Sequence, residues 1–280
     1  VLELAEGKNV RVSYLPRDKL DRLSGGKPHN GVILKANKRE YKLINNFESA
    51  LSTRKGKEAE KLKGKLILVL DQLVDPQNFG SIIRTAIFLG ADAVVANKNN
   101  RPLLSPSVSK TSSGGLECTE IFAIKNITKA LKDVMAKENW KVFTLFLENE
   151  KDVYMKGTTD NSELKEDSEE EIQTNSNTSN EDTESKESRK KLREVKVDSS
   201  NNVVLVISSN SKDLFGNLPK DSQLPYHSEI VIPKANPEES TMLKQVEDKS
   251  LIEMVDSMNV GVTAGIVLNY LKTALTGATE

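Results

Sequence analysis

The chain has 280 residues, of which 37% are hydrophobic and 29% charged, and it carries 40 basic against 41 acidic side chains. Residues 148–200 hold 16 acidic and 9 basic side chains, so a local net charge of −7 hides a remainder of +6. A single cysteine excludes an intramolecular disulfide framework and fits a reducing compartment, and no apolar run approaches the roughly 18 residues of a transmembrane helix. We therefore expect a soluble protein whose mildly basic folded part is compatible with an RNA partner.

The N-terminal region carries the pattern of the end of a small α/β module over residues 1–36. Residues 10–14 and 31–34 predict strands, and residues 18–23 predict a short helix between them. Residues 37–64 are basic and polar. They indicate either a solvated linker or surface helix, or a hinge that also contacts RNA phosphates.

From residue 66 the pattern becomes an alternation of strands and helices. The expected strands are 66–70, 93–96, 121–124, 142–146, 203–207 and 229–232, and the expected helices are 79–89, 107–113, 127–138 and 260–271. Alternation of this kind favours a parallel sheet that is covered by helices on both faces. The predicted fold class is therefore α/β with a parallel sheet.

Two inserts interrupt this alternation. Residues 149–199 are rich in Glu, Ser, Asn and Thr and hold too few apolar side chains to offset the entropy of ordering, so we expect a disordered insert. It is either a passive insertion or an acidic competitor for a basic RNA site. Residues 236–256 form a second insert with helical spacing in places.

The turn after the first strand of the alternation carries the most information. Asp71 and Asp75 break the strand, and Pro76 supports a helix start. Asn78 and Arg84 then lie at a strand-to-helix turn, and open α/β sheets bind ligands in the crevice at the carboxyl ends of their strands. Arg84 is either a solvated surface arginine or, through its guanidinium fork, a phosphate contact.

Three motifs in this order resemble the SPOUT class of RNA methyltransferases, in the TrmH/SpoU-like branch that methylates ribose 2′-hydroxyls. The first motif is Asn78-x-Gly80-x-x-x-Arg84-Thr85-Ala86. The third is Ile232-Pro233 followed by Ser257-Met258-Asn259-Val260-Gly261-Val262. The loop Thr111-Ser112-Ser113-Gly114-Gly115-Leu116-Glu117 is similar to a small-residue loop of the family.

The second motif departs from the family pattern. The family usually carries Gly-x-Glu-Gly-x-Gly-Leu after a strand, whereas here Ser208 replaces the first glycine, Asn210 the glutamate and Asp213 a later glycine. The missing carboxylate at position 210 removes a possible partner for Arg84 or for the substrate.

The resemblance implies a SPOUT methyltransferase domain over residues 65–275 with a C-terminal trefoil knot, preceded at 1–36 by the tail of a small RNA-binding domain. It implies S-adenosyl-L-methionine as methyl donor, no metal, no membrane, and a homodimer whose interface the small residues of the final helix would suit. The closest resemblance is to large-subunit rRNA guanosine 2′-O-methyltransferases, including mitochondrial enzymes of fungi. Ribosomal RNA is thus the expected partner and the mitochondrion the expected compartment, although no targeting segment is visible.

The resemblance also assigns roles to residues. Arg84, Asn78, Ser257 and Asn259 would form the catalytic set, in which Arg84 positions the substrate and stabilises charge, since an arginine normally stays protonated. The set expected to hold the cofactor consists of Ser208, Ile232, Pro233, Met258, Ser113 and Gly114. Met258 is alternatively a core methionine, and Ser257 and Asn259 are alternatively helix N-caps. We expect Cys118 to be a small, partly buried residue.

Three other functions stay open. The first keeps the class and changes the substrate, giving a tRNA ribose 2′-O-methyltransferase. The second is a catalytically weakened RNA-binding ribosome-assembly factor, which the altered second motif suggests. The third is a nucleotide-binding α/β protein of another kind, which is disfavoured because the chain lacks both a Gly-x-Gly-x-x-Gly turn and a phosphate-loop lysine motif.

Overall fold

The structure is a computed structural model that describes residues 1–52, 64–145, 189–208, 227–232 and 258–277. The chain divides into two compact units, Val1–Arg39 and Glu40–Glu280. The first unit carries two short helices, α1 (Leu2–Gly7) and α2 (Arg17–Leu23).

The first unit has no buried side chain. Its best-defined side-chain contact joins His29 to Asp21, with 3.0 Å between Nε2 and Oδ1, while the His29 Nδ1 accepts from the Gly31 backbone. The strands predicted at 10–14 and 31–34 are wrong, because a strand needs a hydrogen-bonding neighbour and neither run pairs with another segment. The predicted helix at 18–23 is confirmed as α2.

The second unit is built on an eight-stranded sheet in which every pairing is parallel, and this confirms the predicted α/β class. The strands are β1 (Lys42–Ile44), β2 (Leu66–Asp71), β3 (Ala93–Asn97), β4 (Ile121–Ile124), β5 (Trp140–Leu145), β6 (Arg189–Lys191), β7 (Asn202–Ser208) and β8 (His227–Val231). Their order across the sheet is β1-β4-β3-β2-β7-β5-β8-β6.

Helices cover both faces of the sheet, as the continuous apolar strands require. The helices of this unit are α3 (Phe47–Leu51), α4 (Pro76–Phe88), α5 (Pro106–Thr111), α6 (Gly115–Cys118), α7 (Ile127–Met135) and α8 (Val260–Thr276). One core joins the sheet to α4 and α8, and a second core on the opposite face joins it to α3 and α7. Within β2, Leu66, Leu68 and Leu70 face the first core, while Ile67 and Val69 face the second.

The expected linker over residues 37–64 is wrong at residues 42–51, which belong to the sheet unit. β1 pairs with β4, and α3 begins with Asn46 as its N-cap, whose side chain accepts from the Ser49 backbone. Phe47 and Ala50 of α3 are buried in the second core. The basic composition of the region concealed a strand of three residues and a single helical turn, because tertiary packing rather than local pattern holds both. Residues 53–63 lie outside the described residues.

The expected disordered insert over residues 149–199 is wrong at its C-terminal end. β6 pairs with β8, and Val195 is only 3% exposed. The Val195 carbonyl oxygen accepts a 3.0 Å hydrogen bond from the Tyr270 hydroxyl of α8. The pairing with β8, the burial of Val195 and this hydrogen bond together attach β6 to the sheet as an edge strand. The rest of this insert and the whole of the 236–256 insert lie outside the described residues.

The strand order reverses between β2 and β7. From β2 the chain proceeds through β3 and β4 on one side, whereas β7, β5 and β8 lie on the other side. β2 and β7 are paired along their whole length, and Asp71 lies opposite Ser208 at their carboxyl ends. In open parallel sheets the crevice outside such a reversal point is where ligands bind.

Candidate active site

The first turn of α4 fixes Asn78 at the carboxyl edge of the sheet. Asp75 is the N-cap, and its side chain accepts from the backbone N–H groups of Gln77 and Asn78. Pro76 occupies the first helical turn, where its missing N–H costs nothing. The predicted helix start is therefore confirmed, three residues earlier than expected. Asp71, by contrast, does not lie beyond the strand as expected. It belongs to β2 as its buried last residue.

Gly80 is required by the packing of α4 against α5, and it is not a turn glycine. A Cβ at this position would overlap the Thr111 hydroxyl oxygen and lie 2.7 Å from the Val108 carbonyl oxygen. The Thr111 hydroxyl is itself fixed, since it donates to the Ser107 carbonyl oxygen at 2.9 Å and has the Pro76 carbonyl oxygen as a second neighbour at 3.3 Å. The close approach brings the loop that follows α5 to the side of α4.

The N-terminus of α8 meets α4 at Asn78. The Asn259 side chain caps α8 by accepting from the Gly261 N–H at 2.9 Å, which confirms the alternative N-cap role, and its Nδ2 donates to Asn78 Oδ1 at 3.3 Å. These two asparagines are 181 residues apart in the chain. Asn259 therefore caps the start of α8 and also links the first and third motifs.

The small residues of α8 are used within the chain. A Cβ at Gly261 would lie 2.9 Å from Ser81 Oγ, and a Cβ at Gly265 would lie 3.3 Å from Thr85 Cγ2. Ala264 of the same face is fully buried. The expectation that this face suits a dimer interface is wrong, because α4 already covers it.

Arg84 lies further along α4, beside the small-residue loop. It is exposed, and it makes no hydrogen bond or ion pair with any of the residues that the structure describes. The adjacent loop turns through two left-handed residues, Ser113 (φ 51°) and Gly114 (φ 86°). A Cβ at Gly115 would lie 3.7 Å from the Arg84 Cα. The loop therefore runs close to the α4 backbone at Arg84.

The loop at Ser113 and Gly114 satisfies its own backbone. The Ser113 N–H donates to the Lys110 carbonyl, and the Gly114 N–H points to the Ser109 carbonyl at 3.5 Å. The Ser112 hydroxyl donates to Ser109 and accepts from the Leu116 N–H. The N–H groups of Ser113 and Gly114 are therefore already directed at carbonyl groups of the chain. A ligand beside this loop would meet its surface and not unpaired N–H groups.

A row of polar side chains crosses the carboxyl ends of β3, β2 and β7. Asn97 Nδ2 donates to Asp71 Oδ1 at 2.6 Å, and the Ser208 hydroxyl donates to Asp71 Oδ2 at 3.0 Å. Asp71 is 1% exposed and Ser208 2% exposed. No ion pair to Asp71 occurs among the described residues. Sequence reasoning included Ser208 but missed that Asp71 accepts from its hydroxyl and that Asn97 in turn donates to Asp71.

The remaining expected site residues fall into two groups. Ser257 and Pro233 lie outside the described residues. Ile232 is partly buried against the first core, and Met258 is 46% exposed, which excludes the alternative of a core methionine. Cys118 is exposed, so the expected partial burial is wrong.

A second cluster that the sequence did not reveal lies at Tyr41. The Arg101 guanidinium carbon is 4.2 Å from the centroid of the Tyr41 ring, and the Tyr41 hydroxyl donates to the Pro102 carbonyl at 2.7 Å. Burial raises the pKa of the Tyr41 phenol above its usual value, and the Arg101 charge opposes part of this effect. The ring also contacts Phe79 of α4 edge-on. The cluster ties the start of the sheet unit to the helix that carries Asn78.

Within the described ranges, no group of three or more His, Cys, Asp or Glu side chains is placed to bind a metal ion. None of the helices in these ranges is both long and apolar enough to cross a membrane.

Together, the parallel sheet and the polar side chains at its carboxyl edge define a class, namely the open parallel α/β domains, in which ligands bind at the reversal of the strand order. The profile of the SpoU rRNA methylase family matches residues 65–169, and that of the RNA 2′-O-ribose methyltransferase substrate-binding domain matches residues 1–42. The chain therefore resembles the SpoU methylase family over residues 65–169.

Individual relatives match about half of the chain. A Bacillus subtilis protein named for the TrmH family of tRNA/rRNA methyltransferases is 33% identical over 51% of this chain and 55% of its own length. The human mitochondrial rRNA methyltransferase 1 is 34% identical over 51% of this chain and 38% of its own length. A 23S rRNA (guanosine-2′-O-)-methyltransferase of Neisseria meningitidis is 30% identical over 55% of this chain and 58% of its own length. The matched part of the chain thus spans about half or less of these relatives.

Solved structures with a similar arrangement include the TrmH/SpoU tRNA modifying enzyme of A. aeolicus, at a TM-score of 0.46 and 16% identity over 78% of this chain and 79% of that one. An AdoMet-bound rRNA methyltransferase of Sinorhizobium meliloti matches with a TM-score of 0.45 and 17% sequence identity, over 76% of this chain and 57% of that one.

Proposed function

We propose that this protein transfers a methyl group from S-adenosyl-L-methionine to a ribose 2′-hydroxyl of RNA. The observation that carries the proposal is the contact between Asn78 and Asn259, because it joins the first and third family motifs beside the carboxyl edge of the sheet. The match of residues 65–169 to the SpoU methylase family supports the same reaction.

The proposed chemistry asks for positioning more than for a strong base. A ribose hydroxyl is a weak nucleophile, whereas the methyl group on a sulfonium is already activated, so the main task is to hold the reacting atoms in line. An asparagine offers both a donor and an acceptor. Asn78 and Asn259 would orient the hydroxyl, and we include Ser257 in the same set from the motif that it shares with Asn259.

Arg84 would contact the RNA phosphate beside the target ribose and stabilise charge as the proton leaves the oxygen. Its exposure leaves it accessible to a large substrate. A guanidinium that stays protonated is suited to hold a phosphate through two parallel hydrogen bonds. We therefore assign Arg84 a positioning and electrostatic role.

The cofactor would lie at the end of β7, against the backbone of Ser208 and of Ile232, with Met258 and Pro233 completing the pocket and with Ser113 and Gly114 as a wall. Bound there, it would supply the activated methyl group. The residues present fit a positively charged sulfonium, because the row at the strand ends contains the buried carboxyl group of Asp71, and no cation among the described residues pairs with it.

The favoured substrate is large-subunit ribosomal RNA, and we propose a guanosine as the target. Relatives named as an rRNA methyltransferase and a 23S rRNA guanosine-2′-O-methyltransferase support this choice. A tRNA substrate is the second candidate, favoured by the TrmH tRNA/rRNA relative. The target ribose has to be reached in an unpaired segment, since only there can a base be splayed away.

Three further features complete the proposal. Residues 1–36 would help to bind RNA, in line with the match of the substrate-binding profile. The C-terminal segment would form a trefoil knot, and two copies of the chain would form a homodimer. The human mitochondrial relative suggests a mitochondrial location.

The first test is S-adenosyl-L-methionine binding by isothermal titration calorimetry with the full chain, its Arg84→Ala variant and its Asn259→Ala variant. We expect micromolar-range binding by the wild type and by Arg84→Ala, because Arg84 serves the RNA. We expect weaker binding by Asn259→Ala, because the capped end of α8 loses its hydrogen bonds to Gly261 and Asn78. Absence of binding by the wild type would favour the RNA-binding assembly factor over the enzyme.

A further inference from the structure

The polar row Asn97–Asp71–Ser208 occupies the boundary at which the strand order reverses. Asp71 and Ser208 are register partners on β2 and β7, and Asn97 follows the β3 residue that pairs with Leu70. All three are the last residues of their strands. The row therefore lies at the edge of the sheet where the cofactor is proposed to bind.

The row replaces the apolar packing of the level before it by polar groups, of which Asp71 and Ser208 are buried. The preceding level, formed by Ala96, Leu70 and Ile207, is apolar and fully buried. Burying a carboxyl group is unfavourable unless hydrogen bonds satisfy it, and here both Asp71 oxygens accept one from a flanking strand. Apolar side chains would hold the three parallel strands together equally well. The polar row is therefore better explained as fixing the positions of the strand ends than as adding stability.

The Ser208 hydroxyl is the side-chain contact through which Asp71 acts on β7. A parallel ladder fixes the strand register through the backbone, and a side-chain hydrogen bond fixes the last residue in addition. The bond from Ser208 Oγ to Asp71 Oδ2 holds that last residue against β2. The bond from Asn97 holds the Asp71 carboxyl group in turn.

We propose that Asp71 is a positioning residue which, acting through the Ser208 hydroxyl, fixes the carboxyl end of β7 and with it the Ser208 backbone that receives the cofactor. The inference deepens the proposed function and rests on it for the identity of the ligand. Asp71 itself need not touch the cofactor.

The variants Ser208→Ala and Ser208→Thr separate this role from simple packing. Ser208→Ala removes the hydroxyl, whereas Ser208→Thr keeps it. We expect the alanine variant to bind S-adenosyl-L-methionine 3- to 10-fold more weakly in calorimetry, the range that loss of one hydrogen bond gives, and the threonine variant to stay within about 2-fold of wild type. Equal binding by wild type and Ser208→Ala would overturn the proposal.

Asp92→Asn is the matched control, because Asp92 is a buried aspartate at the opposite end of the same strands. Its Oδ2 accepts from the Leu66 N–H at 2.9 Å and pairs with Lys272 at 3.2 Å. We expect this variant to melt at a lower temperature but to bind the cofactor as the wild type does. Cofactor binding weakened as much as in Ser208→Ala would show a global effect and would contradict positioning.

A double-mutant cycle tests whether Asp71 acts through Ser208. Asp71→Ala should weaken cofactor binding in the wild-type background and should have a smaller effect when Ser208 is already alanine. Fully additive effects in variants that are shown to be folded by circular dichroism would mean that Asp71 acts by another route.

Amide hydrogen exchange keeps the inference separate from the proposed function, because it needs no ligand. In Ser208→Ala the amides at the end of β7, residues 205–208, should exchange faster than in Ser208→Thr, while the amide of Leu66 stays unchanged. If the wild type binds no cofactor, the proposed function fails and exchange still decides the positioning role. Identical exchange in the two Ser208 variants would overturn it.

Discussion

Two buried aspartates bracket β2, and their partners differ. At the amino edge of the sheet, Asp92 accepts from the backbone of Leu66 and pairs with the Lys272 ammonium of α8. At the carboxyl edge, Asp71 accepts from the neutral side chains of Asn97 and Ser208. The first arrangement joins a helix to the sheet by charge. The second joins three strand ends at the place where ligands bind in parallel sheets.

The difference shows how one sheet separates stability from function. The Lys272–Asp92 ion pair at the amino edge can be closely packed, because no ligand has to bind there. On α4, which begins at the carboxyl edge, Arg84 is exposed and has no ion-pair partner among the residues that the structure describes. We conclude that the paired Lys272 and the unpaired Arg84 have different tasks, and their substitutions should have different consequences.

The largest expected effect is on methyl transfer, at the carboxyl edge. Arg84→Ala should lower the rate of transfer to RNA about 100-fold, as removal of one preorganised electrostatic contact does, while the melting temperature and cofactor affinity stay close to wild type. Arg193→Ala is the matched control, since it removes an exposed arginine from the short turn Leu192–Glu194. A loss of activity as large in Arg193→Ala would mean that general charge, not the position of Arg84, matters.

Gly80→Ala should have the largest effect on stability. Its Cβ would overlap the Thr111 hydroxyl and press against the Val108 carbonyl, so α4 and α5 would have to move apart. We expect a loss of about 3 kcal/mol in the free energy of unfolding, measured by urea denaturation. Gly265→Ala provides the control. It meets only the Thr85 methyl group at 3.3 Å, so its change should stay within about 1 kcal/mol.

Lys272→Ala tests the amino edge. It removes the cation from Asp92, whose side chain is 6% exposed, and should lower the free energy of unfolding by about 1–2 kcal/mol. Cofactor affinity should not change, because the pair lies away from the carboxyl ends of the strands. A clear fall in cofactor affinity without a fall in stability would break the distinction between the two edges.

The smallest expected effect is an alkaline one at Tyr41. Burial raises the pKa of its phenol in the folded protein, so the unfolded chain loses this proton first as the pH rises. Tyr41 therefore contributes stability that is present below about pH 10 and falls by up to about 1.4 kcal/mol per pH unit above it. Urea midpoints between pH 8 and 11 should show a shallower decline for Tyr41→Phe. Tyr14→Phe, at an exposed position, should leave the wild-type slope unchanged.

The elements with a strong local pattern could be predicted from the sequence. The continuous apolar run of β2 and the cap at Asp75 define strand and helix within a few residues. The motif containing Asn259 also predicted its position at a helix start. Local chemistry suffices in these cases, because propensity, capping and burial agree.

Contacts between distant segments could not be predicted in the same way. Asp71 and Ser208 are separated by 137 residues, and nothing in either strand alone shows that their ends are in register. The requirement for Gly80 was likewise hidden, because it comes from Thr111 on another helix. β1 and α3 were missed since their stability comes from packing around Phe47 and not from their own short sequences.

The most direct test of the proposed function is to follow the methyl group itself. The full chain would be incubated with isotopically labelled S-adenosyl-L-methionine and large-subunit rRNA, and the RNA would be digested to nucleosides for mass spectrometry. The account predicts label on a ribose 2′-oxygen in the wild type and about 100-fold less in Arg84→Ala. Label on a base, or none on rRNA or tRNA, would contradict it.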